Sequence, residues 1–393
     1  MENFEYYNPV RVVFGEGSLK TIGNHVKAYG KNALLVSYTD VSFFKSTVET
    51  IENALQENGV ACTEFFAVTA NPLLSQARAG VALCKEKNID VVIGLGGGSV
   101  MDCAKIIAAG VLYKRDIKDM LMLSHSNISS VPPTETLPTV MIPTLPATGS
   151  EMNSTAVVTE DESGKKSYVW TPALYPKVAV FEPTLTTSLP PYQTACGAFD
   201  IIAHVMEAYV NGAPNVDLTL HDKMQEGVIK ATFAALEKVW KEPSDLQARG
   251  VLMWAASIGL NGWLTSGTFG FTPMHQMGHV LSAKYNATHG ATLCCMMPTW
   301  MRYFAKKEQN TRYQLFAKNI FGCDSIEEAA DKFEEIIRSY SVQTKISQLG
   351  AKEEDLETLA DTVVSVSFGA DGKMNGNPRT TREDILNMYR LSF

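Results

Sequence analysis

The chain has 393 residues, of which 45% are hydrophobic and 19% charged, and 34 Lys and Arg against 42 Asp and Glu leave a net charge of −8. At roughly 100–200 residues per domain this length predicts two to three domains with a large core, and the composition excludes a disordered or fibrous chain. No run of Lys and Arg is long enough to neutralise a phosphate backbone, so nucleic acid is not expected as a partner. The first residues, MENFEYYNPV, lack a basic start followed by an apolar run, and no signal peptide is expected. The apolar stretches Val251–Leu264 and Thr292–Trp300 are interrupted or too short to span a bilayer. Seven scattered cysteines without a C-x-x-C pair predict free thiols and a reducing, cytoplasmic setting.

In chain order, Asn32–Tyr38 reads as a buried strand, Val48–Asn58 as a helix, Cys62–Ala67 as a strand and Leu73–Asn88 as a helix. Asp90–Leu95 is a third strand, Met101–Leu112 a helix, and Pro138–Pro143 a further strand. Strands alternating with helices of this length need crossover connections, which predicts a mostly parallel sheet covered on both faces. The Ser/Thr run and two prolines of Phe181–Pro191 mark a boundary. Beyond it the period is helical: Tyr192–Val210, Leu218–Val239, Asp245–Leu264, Glu327–Tyr340, Lys352–Ser365 and Arg382–Arg390. The expected architecture is an α/β half, residues 1–185, followed by an all-helical half, residues 186–393, with a small-molecule site in the cleft between them.

Gly96-Gly97-Gly98-Ser99 leaves an apolar strand and opens a helix. Consecutive glycines let backbone approach a ligand, and a helix start offers unpaired N–H groups and partial positive charge, which suits a pyrophosphate. The same pattern also serves a plain tight turn, and Asp102 equally reads as a helix-start carboxylate complementing the dipole. A second polar turn, Thr144 to Thr148 and on to Glu151, leaves another strand at the end where parallel sheets bind ligands.

Asp200 and His204 are spaced i, i+4 in an apolar helix and project from one face. His275 and His279 form a second such pair, and His289 follows ten residues later. A carboxylate with several imidazoles is a donor set for a divalent first-row ion such as Fe(II), Zn(II), Mn(II) or Co(II). The alternatives are a simple helix ion pair at Asp200–His204 and core histidines at the second pair. Spacing leaves open which three histidines would coordinate.

Together with Val13-Phe14-Gly15-Glu16-Gly17, Ala147–Asn153, Leu189-Pro190-Pro191 and Asn377–Tyr389, these motifs resemble the iron-containing alcohol dehydrogenase family along essentially the whole chain. The resemblance is to its butanol dehydrogenase and broad-range NADPH-dependent aldehyde reductase branch. It implies a dinucleotide-binding domain followed by a helical domain, the two-domain plan shared with dehydroquinate-synthase-like enzymes. It implies Asp200, His204, His275 and His289 as ligands of Fe(II) or Zn(II), and His279 as a catalytic residue near the nicotinamide. The implied cofactor contacts are Gly96, Gly97, Gly98, Ser99, Asp102, Thr144 and Thr148. It also implies a homodimer or larger assembly acting on aldehydes and primary alcohols. In the stretch Tyr38-Thr39-Asp40-Val41-Ser42, Ser42 and the later Lys166 match an NADP-type pattern, whereas Asp40 stands where a glycine would be expected. A carboxylate there favours a ribose 2′-hydroxyl, so NAD and NADP both stay open.

An uncharged, aromatic pocket from Thr265–Phe271 with Trp300, Tyr303 and Phe304 is expected to suit small aliphatic aldehydes. The competing readings are a lyase, cyclase or polyol dehydrogenase on the same plan, and a non-catalytic nucleotide-binding scaffold.

Overall fold

The alternating half becomes a six-stranded parallel sheet. Its strands are β1 (Arg11–Phe14), β2 (Asn32–Tyr38), β3 (Ala61–Val68), β4 (Val91–Gly96) and β5 (Thr139–Pro143). After an antiparallel hairpin of β6 (Thr155–Thr159) and β7 (Lys166–Trp170) comes β8 (Val178–Phe181). The strand order is β1-β8-β5-β4-β2-β3. Helices α1 (Ile22–Val26) and α2 (Lys45–Glu57) cover one face, and α3 (Leu74–Lys87) and α4 (Gly98–Leu112) the other. β4 is buried along its whole length, as a central strand covered on both faces must be. The chain leaves β2 outward to β3 and returns to the opposite side of β2 as β4. That switch point opens a crevice at the carboxyl ends of β2 and β4.

The computed structural model describes residues 1–213, 216–268, 271–308 and 311–393. Its second half is helical: α5 (Pro191–Val210), α6 (Thr219–Lys241), α7 (Leu246–Leu260), α8 (Pro273–Tyr285), α9 (His289–Glu308), α10 (Thr311–Phe316), α11 (Ile326–Ser339), α12 (Leu356–Ser367) and α13 (Arg382–Leu391). Every residue of α5 from Thr194 to Val210 is buried, because α6, α7 and α9 surround it. Asn286 in the left-handed region (φ 49) ends α8, a conformation Asn tolerates, and α9 starts three residues later at His289.

Several expectations need correction. α4 begins at Gly98 rather than Met101, since Gly97 is extended (φ −79, ψ −172) and the glycines themselves form the first turn. α7 stops at Leu260 rather than Leu264, because Gly262 (φ 88) turns the chain out of the helix. Strands β1, β6, β7 and β8 and helices α8 and α9 were not among the predicted elements. β1 and β8 are four residues each and the hairpin strands five each, too short for a period to stand out. Trp300, Tyr303 and Phe304 do not line a substrate pocket. Trp300 and Phe304 are fully buried in the helical core, and the Tyr303 hydroxyl donates to Asp384 at 2.7 Å. Phe269 and Gly270 lie outside the described residues.

Two glycines seat α5 between the halves. A methyl group on Gly197 would overlap the Pro146 carbonyl of the sheet half, and one on Gly290 would overlap the Cys196 carbonyl. Gly290→Ala is therefore expected to lower stability by about 1–3 kcal/mol, read as a drop in Tm. An unchanged Tm would show that α9 does not rest on the α5 backbone.

Candidate metal and dinucleotide site

Asp200, His204 and Glu207 occupy one face of α5, His275 and His279 one face of α8, and His289 the first position of α9. Asp200 Oδ1 is the meeting point: His275 Nε2 lies 3.4 Å away, His289 Nε2 3.8 Å and His204 Nδ1 3.9 Å. Asp200, His275 and His289 converge on one point, each offering a donor atom within 4.8 Å of the others. His204 stands beside this trio, its ring stacked on His275 with centroids 4.1 Å apart.

Asp200 Oδ1, His204 Nδ1, His275 Nε2 and His289 Nδ1 are buried without a hydrogen-bond partner. Buried polar atoms are normally satisfied, so a cluster of such atoms marks a place where something else supplies the partner. Two donors each about 2.1 Å from an ion are separated by roughly 3–4 Å. The donor set and its spacings therefore fit a divalent cation.

The electrostatics of the carboxylate and of two of the three imidazoles agree. Burial alone would raise the Asp200 carboxyl, but His204, His289 and His275 outweigh it and hold it below the ordinary carboxylate range. Burial pushes His204 and His289 down to about 3, keeping both neutral with lone pairs available. His275 moves the other way, to about 9: burial opposes its charge, but Glu207 and Asp200 favour it.

Glu207 is the residue that reading the sequence missed. Its buried carboxylate accepts a hydrogen bond from His275 Nδ1 and another from the Met274 N–H at 2.5 Å. A carboxylate only accepts, so Nδ1 carries the proton and Nε2 is left facing Asp200. The signal was present in the spacing, since Glu207 follows Asp200 by two helical turns on the same apolar face.

All four residues, with His279, line a cavity of about 1190 Å³ that also reaches the switch-point crevice. Gly97, Gly98, Ser99, Asp102, Thr148, Tyr38 and Lys166 line it as well. The Gly97 N–H donates to the Tyr38 hydroxyl at 3.1 Å, and a methyl on Gly98 would come within 2.6 Å of Thr148. The glycine turn and the Thr148 turn are thus in direct contact. Gly96 and Thr144 sit beneath this surface, joined by a 3.0 Å hydrogen bond from the Thr144 N–H to the Gly96 carbonyl, and do not line the cavity. Asp102 spends both oxygens internally, accepting from Ser150 Oγ at 2.6 Å and the Val157 N–H at 2.9 Å.

Asp40 and Ser42 lie beyond the end of β2 and outside the cavity lining, with Asp40 accepting from the Ser42 N–H at 2.9 Å. Lys166 donates to Asn71 Oδ1 at 3.1 Å. Burial lowers its ammonium to about 8, against the pull of Asp102 and Asp200. His279 is stacked on His289 with centroids 4.9 Å apart, and burial, His289 and Lys166 keep it neutral.

A parallel sheet whose switch-point crevice opens onto a carboxylate–imidazole cluster is the build of a metal-dependent, nucleotide-binding enzyme. Comparison with known proteins bears on the same point. Residues 9–183 match the family described as iron-containing alcohol dehydrogenase, and residues 194–393 match the C-terminal part of the Fe-containing alcohol dehydrogenase family. The NADH-dependent butanol dehydrogenase A of Clostridium acetobutylicum is 33% identical, with all of both chains covered. The NADPH-dependent aldehyde reductase YqhD of Escherichia coli is 32% identical over 76% of this chain and 75% of its own. The crystal structure of NADH-dependent butanol dehydrogenase A from Thermotoga maritima superposes with a TM-score of 0.92 at 32% identity, covering 100% of this chain and 99% of that one. The chain belongs to the iron-containing alcohol dehydrogenase family.

Removing the carboxylate that orients His275 should loosen the site without unfolding it. Glu207→Gln is expected to weaken divalent-ion affinity about 10–100-fold, measured by competition with a chromophoric chelator. Unaltered affinity would leave Glu207 without a role in the site.

Proposed function

We propose that this protein transfers a hydride between a nicotinamide dinucleotide and small aliphatic aldehydes or primary alcohols, with a divalent ion, Fe(II) or Zn(II), as its resident metal. The observation that carries this reading is one continuous cavity lined by both the donor cluster and the glycine turn. Relatives named as butanol dehydrogenases and an aldehyde reductase support the substrate class. A lyase or cyclase acting on a phosphate or carboxylate substrate needs several converging cations, and Lys166 is the sole Lys or Arg among the described residues lining the cavity.

In this reading Asp200, His275, His289 and His204 would hold the ion, which would supply Lewis-acid polarisation of a carbonyl oxygen, and a bound nicotinamide would supply the hydride. Glu207 fixes the His275 ring so that Nε2 points at the site. Gly97, Gly98, Ser99 and Thr148 cradle the pyrophosphate at the start of α4, and Gly96 and Thr144 shape the turn beneath. Asp102 ties that helix to the hairpin, and Lys166 adds positive charge beside the cofactor. His279, neutral and stacked on His289, passes the alcohol proton through its ring nitrogen. Tyr38 lines the cavity beside the glycine turn, and the exposed Asp40 carboxylate just beyond the end of β2 would favour NADH over NADPH if the ribose reaches it.

Residues 1–185 are the dinucleotide domain and residues 186–393 the metal-binding domain. Seven free thiols support a cytoplasmic setting, and no helix among the described residues is long and apolar enough to cross a membrane. An exposed apolar strip beside edge strand β1, formed by Phe14, Val251 and Trp254, supports a homodimer, which light scattering would read as twice the chain mass.

The decisive experiment follows NADH and NADPH absorbance with an aldehyde panel, using metal-depleted protein reloaded anaerobically with Fe(II) or Zn(II). Activity is expected only after reloading, and faster with NADH. His279→Ala is expected to keep its ion and lose most activity. Full activity without a divalent ion, or a His289→Ala protein with full metal content and rate, would overturn the scheme.

A further inference from the structure

Residues Glu2–Tyr7 line the same cavity, although they form neither helix nor strand. Contacts with both halves of the molecule hold this segment in place. On the sheet side, Asn8 Nδ2 donates to the Met152 carbonyl at 2.8 Å, just beyond the Thr148 turn. On the helical side, Tyr6 stands edge-on to Trp263 with ring centroids 5.1 Å apart, and the Glu2 N–H donates to the Gly267 carbonyl at 2.9 Å. Gly267 has φ 72, and a methyl group there would come within 2.7 Å of the Phe4 ring. The ring therefore lies directly on bare backbone, a close approach that only glycine allows. Phe4 is nonetheless 54% exposed, so core packing does not account for its position.

The segment runs from Met152, just past the Thr148 turn, to Gly267 in the loop after α7, and both the Thr148 turn and that loop line the cavity. Other aromatic side chains also line this space, Tyr168 and Phe271 among them. The Tyr168 hydroxyl pairs with His125 Nε2 at 3.1 Å, and Phe271 stands edge-on to the same imidazole. With Phe4, Tyr6 and Tyr7 from the start of the chain they make the cavity lining strongly aromatic.

We propose that Glu2–Tyr7 is the substrate gate of this cavity, with Phe4 and Tyr6 limiting the cross-section of the aldehyde admitted. Unbranched aliphatic aldehydes pass this gate end-on, and aromatic aldehydes are held back. The proposal rests on the oxidoreductase reading for its substrate and on the contacts above for its place.

The test compares butanal with benzaldehyde in the metal-loaded enzyme and in its Phe4→Ala and Tyr6→Ala variants. The benzaldehyde-to-butanal ratio of kcat/KM is expected to rise roughly tenfold through aldehyde KM, with coenzyme KM unchanged and Phe4→Tyr keeping the parent ratio. Both side chains are on the surface segment, so the variants should fold, and thermal unfolding checks this. A ratio within about twofold of the parent in both variants overturns the gate. Should the parent enzyme reduce neither aldehyde, the oxidoreductase reading falls. The gate is then judged by the relative binding of 1-butanol and benzyl alcohol in ligand-observed NMR, where an unmoved ratio overturns it.

Discussion

The structure is organised around the cost of a buried carboxylate, Asp200, surrounded by imidazoles that each keep a ring nitrogen without a hydrogen-bond partner. Taken alone, such a group is expensive to desolvate. Three imidazole nitrogens within 4 Å of one oxygen reduce that cost, but four polar atoms still lack partners. Those atoms belong to three separate helices, so whatever satisfies them also fastens α5, α8 and α9 together. Ion binding and the packing of the helical half are then one equilibrium.

The sheet half contributes the opposite kind of surface. Where Asp200 gathers donors that want a cation, the start of α4 presents N–H groups suited to an anion. The two surfaces share one cavity because α5 is pinned between them, with Gly197 against the Pro146 carbonyl and Gly290 against the Cys196 carbonyl. Both glycines also line the cavity. Their role is to let backbones approach so closely that the donor cluster and the phosphate-type turn open onto the same space.

Polar groups at and behind the cavity surface hold its geometry. Glu207 spends its charge on His275, and Asp102 spends its charge on Ser150 and the Val157 N–H. Lys105, fully buried, donates to the carbonyls of Asn153 and Thr155. It thereby anchors α4 to the hairpin that carries Lys166 and Tyr168. Each of these groups fixes a neighbour that faces the cavity.

Much of this was legible in the chain itself. Strong periodicity announced β2, β4, α3 and α5, and i, i+4 spacing put Asp200 with His204 and His275 with His279 on shared faces, because a helix forces those residues together whatever surrounds it. Spacing had no means to report that His289, ten residues past His279, returns to Asp200 after a left-handed turn at Asn286. Nor could it show that the His204 ring stacks on His275 while its Nδ1 lies 3.9 Å from Asp200 Oδ1. It assigned Trp300 and Phe304 to a pocket when they fill the helical core, since a buried aromatic and a pocket aromatic have the same sequence pattern. Local backbone geometry determines which residues share a face; only the packing of distant elements decides which faces meet, and with them where the cation, the cofactor and the rim of Phe4 and Tyr6 fall.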